Sequence, residues 1–127
     1  MNAKRHEAVV GGTLCKFDSM AEHRYADWLV REGRWWEHHP EPIVVVVRAQ
    51  PVFRMEVDFR VQRAPGIFDY VEVKGMATAA WRVKRKVLEA AMPRIKYVVV
   101  DAGRGVCATG KGQPALFDER PRRKRRK

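Results

Sequence analysis

The chain has 127 residues, enough for one compact domain with a single hydrophobic core. Its composition, 46% hydrophobic and 32% charged with four Trp, excludes a wholly disordered chain, and its formal net charge of +11 favours a polyanionic partner such as nucleic acid. The two distant cysteines indicate neither a disulfide framework nor a zinc site, and the longest apolar run, at 43–47, is too short for a membrane span, so we expect a protein of the reducing cytoplasm.

The first third of the chain predicts a strand, a helix and a second strand. The segment GGTLCKF is typical of a short strand after a glycine turn. The segment DSMAEHRYADWLVREGR predicts a helix over about residues 19–32, which begins at Asp18 or Ser19 and ends at Gly33. WWEHH follows, and after two prolines the β-branched run IVVVVRA predicts the next strand.

The middle of the chain predicts a β-hairpin. Residues 52–62 alternate between apolar side chains and charged or polar ones, which indicates a strand with one face on the core. A turn at 64–66, with Pro followed by Gly, leads into IFDYVEVK, the second strand. A three-residue loop there would pair Arg63 with Ile67, and it would therefore place Asp58 opposite Glu72.

The last third predicts a helix and a buried strand. Gly75 ends the hairpin, and Thr78 caps a helix that ends at Pro93 and carries an apolar stripe at Ala80, Val83, Val87 and Ala91. The segment IKYVVVD is nearly all apolar, as in a central strand. Together the elements predict an α/β domain over residues 1–117, a mixed β-sheet with a central hairpin, flanked by helices. The basic residues 118–127 are predicted to be a disordered tail.

Three acids and one lysine are the candidate functional residues. Directly opposed strand residues share a face, so Asp58 and Glu72 would repel each other unless a cation lay between them, and Lys74 projects from the same face. Carboxylates suit Mg²⁺ or Mn²⁺. On the first helix, Glu22 lies on the stripe with Tyr25, Ala26 and Leu29 that faces the sheet, where it could bind or orient the same ion.

The order Glu22, Asp58 and then EVK at 72–74, followed by a capped basic helix, resembles the PD-(D/E)xK nuclease superfamily. The segments FDSMAEHRYADWLV, VDFRV, YVEVKGMATAAWRVKRKVLE and IKYVVVD, within about residues 16–101, are similar to its small phage-associated members, akin to the endonuclease I type of Holliday-junction resolvase. Val57 stands where the family motif has a proline. The resemblance implies a restriction-endonuclease-like sheet.

The resemblance also implies metal-dependent hydrolysis of DNA phosphodiester bonds. In that interpretation Asp58 and Glu72 bind Mg²⁺ or Mn²⁺ together with the Val73 carbonyl, and Glu22 supports this metal or helps to hold a second one. Lys74 positions the attacking water or stabilises charge in the transition state. Branched DNA as substrate, a homodimer that cuts two strands symmetrically, and a phage or prophage origin are further implications.

The second helix supplies candidate contacts to the DNA backbone. These are an anion site at the helix N-terminus and four basic side chains: Thr78, Arg82, Lys84, Arg85 and Lys86. The alternative is that they are solvated helix residues. His38 and His39 are predicted to be non-catalytic, because neighbours on a strand point to opposite sides and no spaced partner residues complete a metal site.

Two other functions stay open. A non-catalytic basic nucleic-acid-binding protein would use its acids for structure, for example in a cross-strand salt bridge between Glu56 and Lys74. A restriction-type or repair-type nuclease would share the predicted active site and differ only in acting on linear DNA. A binding protein would not cut DNA with Mg²⁺ present, whereas both nucleases would.

Overall fold

The computed structural model describes residues 5–75, 77–101 and 106–108, which form an α/β fold. The helices are α1 (Met20–Arg31) and α2 (Ala79–Ala91). The strands, in chain order, are β1 (His6–Val10), β2 (Thr13–Phe17), β3 (Trp36–His38), β4 (Ile43–Val47), β5 (Gln50–Met55), β6 (Phe59–Ala64), β7 (Ile67–Lys74), β8 (Lys96–Asp101) and β9 (Val106–Ala108). At 12 and 13 residues, the helices of this described part are too short to cross a membrane.

The main sheet has five strands in the order β3-β6-β7-β8-β9, and it is mixed. Only β7 and β8 pair in parallel, because α2 crosses over between them, and the other neighbours are antiparallel. The hairpin β6–β7 therefore lies at the centre of the sheet, as predicted. Two further hairpins, β1–β2 and β4–β5, form separate two-stranded sheets.

The main sheet separates two hydrophobic cores, one under each helix. The first core joins the buried face of α1 to one face of the sheet through Tyr25, Leu29, Phe59, Val71 and Val98. The second joins α2 and the β4–β5 hairpin to the opposite face through Leu88, Val45, Met55, Tyr97 and Val99. Strand β8 supplies alternate residues to both cores, which explains its nearly continuous apolar sequence and confirms it as a buried strand.

The strand predicted over 52–62 is in fact two strands in two different sheets. Strand β5 ends at Met55 and pairs with β4, whereas β6 begins at Phe59 and pairs with β3 and β7. The odd-numbered side chains are buried on both sides of the break, those of Met55 and Val57 in the α2 core and those of Phe59 and Val61 in the α1 core. The predicted alternation of buried and exposed side chains was correct. An alternating pattern does not show, however, that the chain passes from one hydrophobic core to the other.

The predicted hairpin register is confirmed over most of its length. Phe59 pairs with Val71, and the next three pairs follow the predicted register. The predicted pair of Asp58 with Glu72 is not part of the ladder, because β6 begins at Phe59 and the Asp58 N–H donates to the Val71 carbonyl. At the turn the prediction was wrong, because Ala64, not Arg63, pairs with Ile67 after an irregularity in β6. Pro65 and Gly66 form a tighter loop, and Gly66 takes the positive φ of 73° that glycine accepts without strain.

Both helices begin where predicted, but α2 buries only part of the predicted face. Ser19 and Thr78 are the N-caps, and each side-chain oxygen accepts a hydrogen bond from the third residue of its helix. The expected apolar stripe on α2 was half correct, since Val87 and Ala91 pack against the core, whereas Val83 is 61% exposed and Ala80 is exposed too. The helix also packs through Trp81 and Leu88, because these larger side chains bury more apolar surface. The predicted tail, 118–127, lies outside the described residues.

Candidate active site

Helix α1 delivers a buried carboxylate to one edge of the main sheet. Glu22 is only 2% exposed and lies with Tyr25, Ala26 and Leu29 on the buried stripe, as predicted. Its backbone N–H donates to Ser19 Oγ at 3.2 Å, and its Oε2 accepts from the Asp18 N–H at 3.0 Å. The sequence SMAE thus acts much as a capping box, which fixes the orientation of the Glu22 side chain.

Asp58 occupies the point where the chain passes from the β4–β5 sheet to the main sheet. Its backbone N–H donates to the Val71 carbonyl at 2.9 Å, and its carbonyl accepts from the His39 N–H at 2.8 Å. Its Oδ2 accepts from the Val73 N–H at 2.7 Å. The carboxylate is therefore held between β3 and β7 at the open end of the hairpin, by which we mean the start of β6 and the end of β7.

Strand β7 carries the other two predicted residues on one face at the same open end. Lys74 Nζ lies 3.8 Å from Glu72 Oε1, and it also lies 5.3 Å from the centre of the Trp81 ring on α2. Glu72 Oε2 is buried and has no hydrogen-bond partner among the described residues. The salt bridge expected under the alternative reading, between Glu56 and Lys74, is not the one formed, because Glu56 lies before β6 and outside the hairpin.

The three carboxylates, which we call the acid cluster (Glu22, Asp58 and Glu72), are electrostatically coupled. Burial, with the charges of Glu72 and Glu22, raises the pKa of Asp58 to about 9. Burial also raises the pKa of Glu72 to about 7; Lys74 opposes this increase, and the charges of Glu22 and Glu56 add to it. The side chains of Asp58 and Glu22 also hydrogen-bond each other. Without a cation, Asp58 and Glu72 are therefore driven toward their protonated forms, and a bound cation would stabilise the ionised forms instead.

Two histidines reach the same site, which corrects the prediction that they point to opposite sides of a strand. His38 Nε2 lies 3.4 Å from Glu22 Oε1, His39 Nε2 lies 3.5 Å from the same oxygen, and the two rings stack with centroids 3.7 Å apart. Strand β3 ends at His38, and His39 has a positive φ of 51°, which turns its ring back beside that of His38. The alternation of side chains along a strand could not predict this turn.

The histidines change the electrostatics of Glu22. Burial alone would raise the pKa of this carboxyl, but a hydrogen bond from His38 and the charges of His38 and His39 outweigh it, so the pKa lies below its ordinary value. Glu22 therefore stays ionised more readily than the other two acids of the cluster. An ionised carboxylate beside imidazole nitrogens is a typical environment for a divalent metal ion.

The predicted DNA-contacting residues of α2 fall into two groups. Arg82, Lys84 and Lys86 are exposed and available to a partner. Arg85 is partly buried, because its Nε donates to Glu89 at 2.8 Å and its guanidinium lies over the rings of Trp81 and Tyr97. Thr78 already accepts the Trp81 N–H at 3.2 Å as the helix cap. Trp81 connects this helix to the open end through Lys74.

Comparison of the chain with protein-family models, curated proteins and solved structures found no match. Function is therefore inferred from the geometry of the site. The donor set fits a hard divalent ion, since carboxylate oxygens of Asp18, Glu22 and Asp58 lie within 4.8 Å of one another. Among the described residues Glu72 belongs to no such group, but its charge acts on Asp58 and one of its buried oxygens lacks a hydrogen-bond partner. Asp58, Glu72 and Glu22 are the residues that could hold such an ion.

Proposed function

We propose that the protein is a DNA endonuclease that requires Mg²⁺ or Mn²⁺ and acts on branched DNA. The observation that carries the proposal is the position of Asp58 at the open end of the hairpin. Its carboxylate lies beside that of Glu22 and accepts from the N–H of Val73, the residue between Glu72 and Lys74. Three buried or half-buried acids close together are unfavourable for a merely structural role, as the raised pKa values of Asp58 and Glu72 indicate. The mixed sheet with a central hairpin is in keeping with a restriction-endonuclease-like fold.

In this proposal Asp58 and Glu72 hold the ion together with the Val73 carbonyl, and Glu22 supports it from α1. The ion supplies acidification of a water molecule and neutralisation of charge on the scissile phosphate. The chain fixes these ligands in advance, because the Val73 N–H holds the Asp58 carboxylate and the Asp18 N–H holds that of Glu22. Preorganised ligands lose little freedom when the substrate arrives.

Lys74 is proposed to position the attacking water or to stabilise negative charge that develops on the phosphate. Its ammonium group lies between the Glu72 carboxylate and the Trp81 ring, so its location is set from two sides. A positive charge held in this way at a partly desolvated site stabilises a transition state more than a mobile surface lysine would. Lys74 would then be a catalytic residue rather than a simple ion-pair partner.

The proposed DNA contacts lie on α2, whose N-terminal turn adjoins Lys74 through Trp81. The exposed side chains of Arg82, Lys84 and Lys86 would contact phosphates flanking the scissile bond. Arg85 would contribute through its packing on Trp81 and its ion pair with Glu89, more than through direct contact. Preference for branched DNA and action as a homodimer rest on the family resemblance.

A single assay tests this function. Purified protein is incubated with labelled four-way junction, linear duplex and single strand, each with Mg²⁺ or with EDTA. We expect cleavage of the junction that depends on Mg²⁺, and paired symmetrical cuts if the enzyme is a dimer. Cutting of linear duplex at equal rate would favour the restriction or repair type of nuclease. Binding of all three without any cutting, equally with EDTA, would replace the proposal by a non-catalytic binding protein.

A further inference from the structure

A group of potential metal ligands lies beside the proposed nuclease site, on the side of α1. Asp18, Glu22, His39 and Asp58 each offer one ligand atom, and these atoms all lie within 4.8 Å of one another. Glu22, His38 and His39 form an overlapping group with the same property. His39 and Glu22 belong to both groups, so they form the centre of the arrangement.

We propose that this group binds a second cation, a divalent transition-metal ion, with the imidazole of His39 as its nitrogen ligand. Glu22 and Asp18 would supply carboxylate oxygens, and Asp58 would lie between this ion and the one held with Glu72. The proposal builds on the proposed nuclease in sharing Asp58 and Glu22 with it. It goes further in assigning a new ligand set, and therefore a new metal class.

The distances suit ligands around one ion. His39 Nε2 lies 3.5 Å from Glu22 Oε1 and 3.6 Å from Asp18 Oδ2. Atoms bound to a common ion at about 2.0–2.2 Å in tetrahedral geometry stand roughly 3.3–3.6 Å apart. These separations are long for hydrogen bonds between ring nitrogen and carboxylate, which are usually about 2.7–2.9 Å when charged. The side chains thus stand apart by the spacing that an ion between them needs.

The backbone of His39 adopts an unfavourable conformation at this site. A left-handed φ of 51° is uncommon for a residue other than glycine, and such conformations persist where the surrounding structure imposes them. His39 precedes Pro40, which itself favours an extended conformation for the residue before it. An extended His39 would continue β3 and point its ring away from His38, so the unusual φ is what brings the imidazole to Glu22.

The surroundings hold the ligands in place and leave His39 accessible from solvent. The Asp18 N–H fixes Glu22 Oε2, which leaves Oε1 directed toward the two histidines. His38 packs between Phe17 and Phe59 and stacks on the His39 ring, so it acts as a positioning residue. His39 is 43% exposed at the side chain, which leaves a path for an ion from solvent.

The nitrogen ligand determines which ion this second position prefers. Carboxylate and water ligands accept Mg²⁺ readily, whereas imidazole favours transition-metal ions. The two positions therefore differ in selectivity. The position at Asp58 and Glu72 exchanges freely between Mg²⁺ and Mn²⁺, and the position at His39 retains Mn²⁺ when Mg²⁺ is added in excess.

Pulsed electron paramagnetic resonance with Mn²⁺ as the probe tests the proposal in the absence of DNA. The full chain is loaded with Mn²⁺, and coupling of the ion to a directly bound nitrogen nucleus is measured before and after addition of excess Mg²⁺. We expect nitrogen coupling in the wild-type protein, and we expect it to persist while Mg²⁺ displaces Mn²⁺ from the oxygen-only position. Absence of nitrogen coupling overturns the proposal and leaves the histidines as ion-pair partners of Glu22.

Matched variants assign the ligand. His39→Asn tolerates the left-handed backbone, and it should abolish the nitrogen coupling and weaken Mn²⁺ binding at this position by about tenfold or more. Glu72→Gln should remove the oxygen-only position and keep the coupling, and His6→Asn serves as a histidine control that keeps both. Nitrogen coupling that survives His39→Asn overturns the assignment.

The nuclease proposal is tested separately, by DNA cleavage, so the two results do not depend on each other.

Discussion

The two ends of the β6–β7 hairpin each contain a buried carboxylate, but the charges that surround it differ. At the turn end, Asp69 is fully buried, and its Oδ2 accepts from Arg63 Nε at 2.9 Å. At the open end, the charges of Glu72 and Glu22 act on Asp58, and the ammonium of Lys74 lies 3.8 Å from Glu72. At the turn end, a guanidinium group pairs closely with the carboxylate. At the open end, the acidic side chains outnumber the basic ones.

Under the proposed function, this difference separates a structural acid from a functional one. A buried carboxylate beside a guanidinium is compensated within the fold, although one oxygen of Asp69 has no partner among the described residues. Asp58 and Glu72, whose pKa values are raised, are unfavourable in their ionised forms until a proton or a metal ion binds. Substitutions at the two ends should therefore have opposite consequences for activity and for stability.

The largest expected effect is on catalysis at the open end. Asp58→Asn should lower Mg²⁺-dependent cleavage by at least about 1000-fold, because loss of a metal ligand removes several kcal/mol of transition-state stabilisation. Lys74→Ala should reduce cleavage while leaving Mn²⁺ binding in place. Both variants should keep the wild-type circular dichroism spectrum. Full activity in both would remove the assignment of the site.

The turn end should respond in stability instead. Arg63→Ala leaves Asp69 as an uncompensated buried carboxylate, so we expect a loss of about 3 kcal/mol in the free energy of unfolding, measured by urea denaturation. Cleavage per folded molecule should be unchanged. Arg94→Ala, at an exposed arginine after α2, is the control and should be nearly neutral. A large loss of activity in folded Arg63→Ala would erase the distinction between the two ends.

The pH dependence of stability sharpens the comparison further. The folded pKa values of Asp58 and Glu72, about 9 and about 7, lie above the ordinary value, so the folded state binds more protons than the unfolded one. Stability in EDTA should therefore fall as pH rises from about 4 toward 7 to 9. Metal at about 100 times its dissociation constant should add about 2.7 kcal/mol at the upper end of this range.

The measurement is a set of thermal melts at several pH values with EDTA or Mg²⁺. The double variant Asp58→Asn with Glu72→Gln is the matched control, because it keeps the size of both side chains and removes both titrations. It should lose most of the pH dependence and all of the stabilisation by Mg²⁺. If Mg²⁺ does not raise the melting temperature of the wild-type protein at high pH, the result would contradict the proposal that the acid cluster binds a cation.

The smallest expected effect concerns DNA affinity at α2, beside the open end. Arg82→Ala with Lys86→Ala removes two exposed charges, so the slope of log affinity against log salt should decrease by about 2. Arg85→Ala should alter cleavage more than this slope, because Arg85 packs on Trp81 and pairs with Glu89. Lys16→Ala with Arg31→Ala, outside α2, is the control. An unchanged slope in the α2 variant would place the DNA elsewhere.

The amino-acid sequence by itself determined the local elements and most of the acid cluster. The helical spacing of Glu22, Tyr25, Ala26 and Leu29 identified the buried face of α1, because the period of a helix is fixed by backbone geometry. The pairing of Phe59 with Val71 and of the next three residues followed from the alternating side chains, although the turn itself was predicted wrongly. These features are predictable because backbone geometry fixes the relative positions of residues that are close in sequence.

Only the tertiary structure decided three other features. The chain leaves one sheet for another between Met55 and Phe59, which the alternating pattern could not reveal because both cores bury the same positions. The buried face of α2 depends on which side chains fill the space against β4 and β8. His38 and His39 meet at Glu22 because of one left-handed residue. Each depends on packing between segments distant in sequence, which no local periodicity encodes.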